Sequence, residues 1–209
     1  MNAQKTISDS KELFYKEFPY VIPHIYRRVA DELIVELHLI SHLKDFKQND
    51  LFAAGLNKTF EDLTIGYKPI DHLDKLFTAI CKSSGFDALR IKEQSNRLKQ
   101  AVIKLELDNI DELSEESHTN KFSEIKSLFE KNNKYHSRLF SIGILNFVEQ
   151  INNKKENNEK IIKVCKSIGK SIGFSHEKVE KDISNYIRSI EKIDSFIELQ
   201  KEINKKRNS

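Results

Sequence analysis

Two glutamates and two histidines stand at intervals that raise the question of chemistry. Glu32 and Glu36 are four residues apart in the run YVIPHIYRRVADELIVELHLISHL, residues 20–43, and His38 and His42 repeat that interval. A carboxylate-bridged metal site in a helix bundle wants a Glu-x-x-His pair from each of two helices and a further Glu from each of two others. The spacing here is different. Glu36 and His38 are two apart and point to different sides of a helix. His38 and His42 share a face, yet zinc hydrolysis of that type needs Glu directly after the first His, where this chain has Leu39. The Glu-x-x-His of the chain is Glu115 to His118, in an acidic polar segment with no second copy. A helical metalloenzyme using Glu32 and Glu36 with a His from a neighbouring helix is therefore the alternative reading. The first reading is structural. Both glutamates project into an apolar arc, where an ionised carboxylate is costly unless paired. Arg28, one turn before Glu32, supplies the partner, so Arg28, Glu32 and Glu36 form a structural ion-pair cluster in the core.

The element that must position these groups is the apolar run itself. Projected at about 100° per residue, Ile25, Val29, Leu33, Leu37, Ile40 and Leu43 make one stripe, widened by Ala30, Ile34, Val35 and Leu39. Pro23 suits the first turn. The polar sector left over is narrow (His24, Arg27, Asp31, His38 and His42), which predicts a central helix covered on most sides.

Composition sets the class around it. The chain has 209 residues, with 6 Gly, 3 Pro and no Trp, and is rich in Lys, Glu, Asn, Ile and Leu; that suits one all-α domain. Lys and Arg number 35 against 32 Asp and Glu, a formal net charge of +3, and no basic run interleaved with aromatics occurs, so nucleic acid is not an expected partner. Basic residues cluster at the end, at Lys201, Lys205, Lys206 and Arg207, which reads first as a solvated helix end and, as the alternative, as a contact for anionic lipid. Cys81 and Cys165 match no metal or redox spacing and read as small core residues. No run approaches the roughly 20 apolar residues of a membrane span, and the first residues lack a signal-peptide core. The protein is expected to be soluble or peripheral, and no cofactor is implied.

Along the chain, Thr6 to Phe18 predicts a short opening helix capped by Thr6 or Ser8. Asn49 or Asp50 caps a helix from Leu51 to Ile65, Asp71 caps one carrying Leu73, Leu76, Phe77 and Ile80, and Asp87 caps one carrying Ile91, Ser95, Leu98 and Val102. Residues 106–120 hold six carboxylates and neither Lys nor Arg, an acidic linker. A short helix over Phe122 to Phe129 follows. Tyr135 to Ile151 is a second buried helix, in which Gly143 signals close approach of another helix, the central one being the candidate. Ile161 to Ile172 gives one more. From Ser175 to about Asn204 no Pro or Gly interrupts, and Val179, Ile183, Tyr186, Ile190, Ile193 and Ile197 recur at alternating intervals of four and three, a narrow coiled-coil-like seam. The expected architecture is a single bundle-like domain over residues 1–174 with a long, partly projecting C-terminal helix and basic tail over residues 175–209. The six seam residues are the candidate partner-binding arm.

These stretches together resemble the thylakoid formation family, described also as photosystem II biogenesis proteins of cyanobacteria and plastids. The resemblance rests on TISDSKELFY at 6–15, IYRRVADELIVELHLI at 25–40 and LFAAGLNKTFEDLTIGYKP at 51–69, extended by LFTAICKSSGFD at 76–87 and VEKDISNYIRSIEKI at 179–193. It implies an all-helical, non-enzymatic accessory protein acting in thylakoid membrane biogenesis and photosystem II assembly or repair. It also implies binding to the FtsH-type membrane protease complex, contact with photosystem II components, and a place at the cytoplasmic side of the thylakoid membrane. No catalytic, cofactor or metal residue is carried over from the family. The motif begins at residue 6, which matches a cyanobacterial form, while the Lys/Asn-rich stretch from Asn120 to Lys178 departs from the pattern. A generic helical adaptor at the membrane surface is a further alternative.

Overall fold

The computed structural model describes residues 5–104, 110–113, 135–152 and 157–207. Among them the chain forms eight α-helices and no strand: α1 (Ile7–Glu17), α2 (His24–Ser41), α3 (Asp50–Leu63), α4 (Leu73–Ser83), α5 (Ala88–Lys104), α6 (Arg138–Asn152), α7 (Asn158–Ser171) and α8 (His176–Arg207). The fold class is all-α, as the composition requires. The helix expected over residues 122–129 and most of the acidic linker lie outside the described residues.

Local chemistry sets the helix starts. At α1 the Thr6 hydroxyl accepts the Asp9 N–H at 3.2 Å while the Asp9 carboxylate accepts the Thr6 N–H at 2.7 Å, a reciprocal capping box. The Thr6 backbone N–H first, and then the Thr6 hydroxyl donating to the same carboxylate at 2.8 Å, hold the Asp9 carboxyl below its ordinary range. At α3 the Asn49 side chain accepts the Phe52 N–H at 2.9 Å, and at α7 Asn157 accepts the Lys160 N–H at 2.9 Å. Asp71 does not cap α4. A 3-10 turn over Ile70–His72 follows Pro69 and runs directly into α4, so no side chain is needed at that start.

The helices gather into two compact units. One is drawn from Met1–Leu43, Phe60–Ala88 and Tyr186–Ser209, the other from Lys44–Thr59 and Leu89–Asn185. In the first, α1, α2 and α4 pack on one another around Phe14, Phe18, Leu33, Ile34, Leu37 and Ile80, all at most 1 % exposed. α2 is less enclosed than its sequence predicts. Leu39 is 55 % exposed, whereas His38, assigned to the polar sector, is buried beside Ser10. The covered face is rotated toward Tyr26, Ala30 and Ile34 because α1 and α4 supply the cover.

In the second unit α6 lies against α7, with Phe52, Leu56, Ile91, Phe140, Phe147 and Cys165 fully buried between its helices. Gly143 does mark a close crossing, but the partner is α3, not α2. A Cβ on Gly143 would fall 2.1 Å from the Leu51 carbonyl oxygen, and one on Gly55 would fall 1.8 Å from that of Leu139. Within the acidic stretch a 3-10 turn at Ile110–Leu113 sinks Ile110 and Leu113 completely against α6 and α7. Both cysteines are buried thiols outside any disulfide, and burial together with Glu149 pushes the Cys165 thiol well up, which keeps it protonated and inert.

α8 is 32 residues long, about 48 Å at 1.5 Å per residue. Its seam turns inward. Val179, Ile183, Tyr186 and Ile193 are at most 3 % exposed, with Val179 against Gly169 of α7 and the Tyr186 hydroxyl donating to the Asp62 carboxylate. The last turns, Glu198 to Lys206, are exposed apart from half-buried Ile203.

Candidate functional site

Among the described residues the side chains expected to carry chemistry are not grouped as a metal site. Arg28 Nε and Glu32 Oε1 do pair, at 2.9 Å, but the side chains are 74 % and 45 % exposed, so the pair lies at the surface and not in the core. The rotation of α2 explains this, since it turns the Arg28–Glu32 side toward water. Glu36 is half-buried. Among the described residues no group of three or more His, Cys, Asp or Glu side chains is placed to hold a metal ion. Glu115 and His118 lie outside them.

Two polar clusters that sequence reasoning missed do form, one buried and one half-buried. Ser10 Oγ and His38 Nδ1 are 2.9 Å apart, joining α1 to α2, while the His42 Nδ1–H donates to the His38 carbonyl at 2.7 Å. Burial lowers the His38 pKa, the neighbouring charges of His42 and Lys5 lower it further, and Asp9 opposes them. Ser10 is wholly buried, so no substrate can reach its hydroxyl, and the contact is a structural hydrogen bond between helices. In the second unit the Asp182 carboxylate accepts from His136 Nε2 at 2.7 Å and from Ser141 Oγ at 2.9 Å. Serine, histidine and aspartate meet here in composition but not in the order of a nucleophilic triad, because the serine hydroxyl donates to the carboxylate and not to the imidazole.

A surface groove belongs to the first unit, where the C-terminal half of α8 lies along the start of α2. Gly66 makes the approach possible. It turns the chain after α3 at φ +79°, and a side chain there would meet Ile197 Cδ1 at 2.9 Å. The Tyr26 hydroxyl donates to the Ile65 carbonyl at 3.0 Å and fixes the same turn beneath α8. Two hollows result, of about 350 and 470 Å³, on either side of a shared, half-buried Phe196. Ile25, Val29, Leu63 and Ile193 line the first, with His24, Arg28, Glu32 and Lys192 among its polar members. Tyr26 and Ile197 line the second, with Lys68 and Lys201 as its charges. The Phe196 ring stands perpendicular to that of Tyr26 at 6.4 Å.

Of the six seam residues, only Ile193 and Ile197 reach this groove. The face of α8 that borders it is rotated from the seam and runs Ser189, Lys192, Phe196, Gln200 and Asn204. The signal for it in the sequence is charge placement: Glu191, Asp194, Glu198 and Glu202 all fall on the other side of the helix.

By fold, then, this is an all-helical protein whose described surface includes a largely apolar groove edged by cations, a form suited to receiving a partner. Its sequence matches the model of the thylakoid formation protein family over residues 6–208, and the chain belongs to that family. It is 42% identical over 203 residues to Protein Thf1 of Prochlorococcus marinus (strain NATL1A), covering 95% of this chain and 96% of that one. Protein Thf1 of Synechococcus sp. (strain CC9902) is 35% identical over 204 residues, covering 97% and 90%. The solved structure of Psb29 superposes with a TM-score of 0.78 at 27% identity, covering 98% of this chain and 97% of that one. The names its relatives carry are those of thylakoid-formation proteins and not of enzymes. No helix among the described residues is long and apolar enough to cross a membrane.

Proposed function

We propose that the chain is a non-enzymatic accessory protein of thylakoid membrane biogenesis and photosystem II assembly or repair, working by binding the FtsH-type membrane protease complex. In this reading it sits peripherally on the cytoplasmic side of the thylakoid membrane and meets photosystem II components there. The observation that carries the reading is family membership along residues 6–208, which leaves almost no part of the chain outside the shared pattern. The groove and the exposed last turns of α8 support a role exercised through contact with another protein.

The test is affinity purification of the tagged chain from detergent-solubilised thylakoid membranes. The protease complex should co-purify, and its absence from a preparation of folded protein would refute the partner. Removing residues 175–209 is not a usable control, because it strips Val179, Ile183, Tyr186 and Ile193 from the interior. Removing residues 198–209 takes away mainly exposed turns. That shorter truncation should keep the helical circular dichroism of the parent and reduce co-purification.

A further inference from the structure

The groove between α2 and α8 has sorted its charges in a way the whole chain has not. Basic and acidic residues are nearly balanced overall, at 35 and 32. Around the two hollows the charged side chains are Arg28, Lys192, Lys68 and Lys201 against a single carboxylate, Glu32, which is already held by Arg28 at 2.9 Å. The four carboxylates of this part of α8 (Glu191, Asp194, Glu198 and Glu202) line neither hollow. The floor is mainly apolar, and half-buried Phe196, shared by both hollows, divides it into two chambers.

We infer that this groove receives an amphipathic helix of a partner protein, one whose apolar stripe is flanked by carboxylates. From Ser189 to Asn204 the groove follows α8 for about 22 Å, or about four helical turns. An amphipathic helix offers apolar anchors at i, i+3 or i+4, and i+7, and two clusters of them fit the two chambers on either side of Phe196. Carboxylates on the flanks of such a helix would lie over Lys192 and Lys201, adding specificity, faster association and a dependence on salt. An anionic membrane surface fits less well. A flat bilayer does not reach a concave floor, and the most exposed aliphatic tips of this unit, Val21 at 89 % and Ile70 at 73 %, stand outside both hollows, with Asp71 directly following Ile70.

The inference deepens the partner-binding reading and rests on it for its biological partner, but its test uses the full-length chain alone. The probe is a fluorescent synthetic helical peptide of about five turns, with leucines at i, i+4, i+7 and i+11 and glutamates on both flanks. A control peptide keeps the leucines and carries lysine for every glutamate. Titration followed by anisotropy should show saturable binding of the acidic peptide, about tenfold or more tighter than the control. The preference should shrink at high salt. The double variant Lys192→Glu/Lys201→Glu replaces two solvent-facing side chains, should keep the parent's circular dichroism, and should lose that preference; Phe196→Ala should weaken both peptides. Equal binding of the two peptides, indifference to the double charge reversal, or association with phosphatidylglycerol vesicles in place of the acidic peptide would each overturn the inference. Peptide binding without protease co-purification would refute the proposed partner and leave the groove standing. Co-purification untouched by the double reversal, with no binding of the acidic peptide, would refute the groove and leave the partner.

Discussion

The crossing of α3 and α6 gives a prediction in which two effects of opposite sign compete. Gly143→Ala replaces the poorest common helix former by the best, which on propensity alone stabilises by about 1 kcal/mol. The new methyl, however, falls 2.1 Å from the Leu51 carbonyl oxygen and 3.0 Å from its carbonyl carbon. The first distance is more than about 1 Å short, and the second about 0.5–1 Å short, of the separation at which nonbonded atoms attract. The obstacle is backbone inside a hydrogen-bonded helix, so no rotamer change relieves it and the two helices must part. Separation of that size forfeits roughly a quarter to a half of each affected contact, and the contacts there belong to fully buried Leu139, Phe140, Phe52 and Leu56. Overpacking of this kind costs about 1–3 kcal/mol, and a backbone obstacle belongs at the upper end. The net expectation is a loss of about 2 kcal/mol, or a fall in Tm of about 4–8 °C for a chain of this length. Gly55→Ala acts on the same crossing, with 1.8 Å to the Leu139 carbonyl oxygen. Since either methyl parts the same pair of helices, the double variant should lose less than the sum of the singles. Urea unfolding of the three variants and the parent measures this. A Gly143→Ala protein as stable as the parent, or more so, would refute the close crossing.

Burial makes two further outcomes measurable. The His38 imidazole has its pKa lowered in the folded state, by burial first and then by His42 and Lys5, against Asp9. The unfolded chain therefore takes up that proton first, so this contribution is complete above about pH 6.5 and is lost as pH falls below it toward the folded value. Thermal unfolding from about pH 8 to 5 should show the decline, and His38→Gln, which keeps a partner for Ser10, should flatten it; an unchanged slope in the variant would refute the assignment. Asp182→Ala leaves the Ser141 hydroxyl, on a residue 0% exposed, and His136 Nε2 without their acceptor, and should cost about 2 kcal/mol in urea unfolding. Asp182→Asn, which retains an acceptor, should lose less, and equal midpoints for the two variants would show that the cluster is not holding α6 to α8.

Elements were legible in the sequence because their signals are local. Thr6 and Asn49 cap helices, Pro23 opens α2, and the seam of α8 recurs at helical intervals whatever it packs against. Gly143 announced a crossing without naming the other helix, because the matching gap, Gly55, lies 88 residues away and only packing pairs them. The rotation of α2 was hidden for the same reason. A stripe flanked by Leu39 on one side and Ala30 and Ile34 on the other is broad enough to be buried from either direction, and α1 and α4 chose the side that takes in His38 and leaves Arg28 and Glu32 in water. Ser10 could not be foreseen as its partner, since a serine one position after a capping aspartate reads as surface.

The groove was hidden because hydropathy reports what a helix buries against itself, not the rim it leaves. In α8 the two faces overlap at Ile193 and Ile197 and then diverge: Val179, Ile183 and Tyr186 carry the fold, while Lys192, Phe196 and Lys201 edge the hollows. Substitutions on the first set remove buried area and act on stability. Those on the lysines change the charge over an apolar floor at positions where the fold has little stake. Ile193, 3 % exposed and lining the first chamber, belongs to both, so its truncation should lower stability and binding together. Stability and recognition are thus separable along one helix by residue, and that separation allows charge reversal at the rim to interrogate binding in a protein that is still folded.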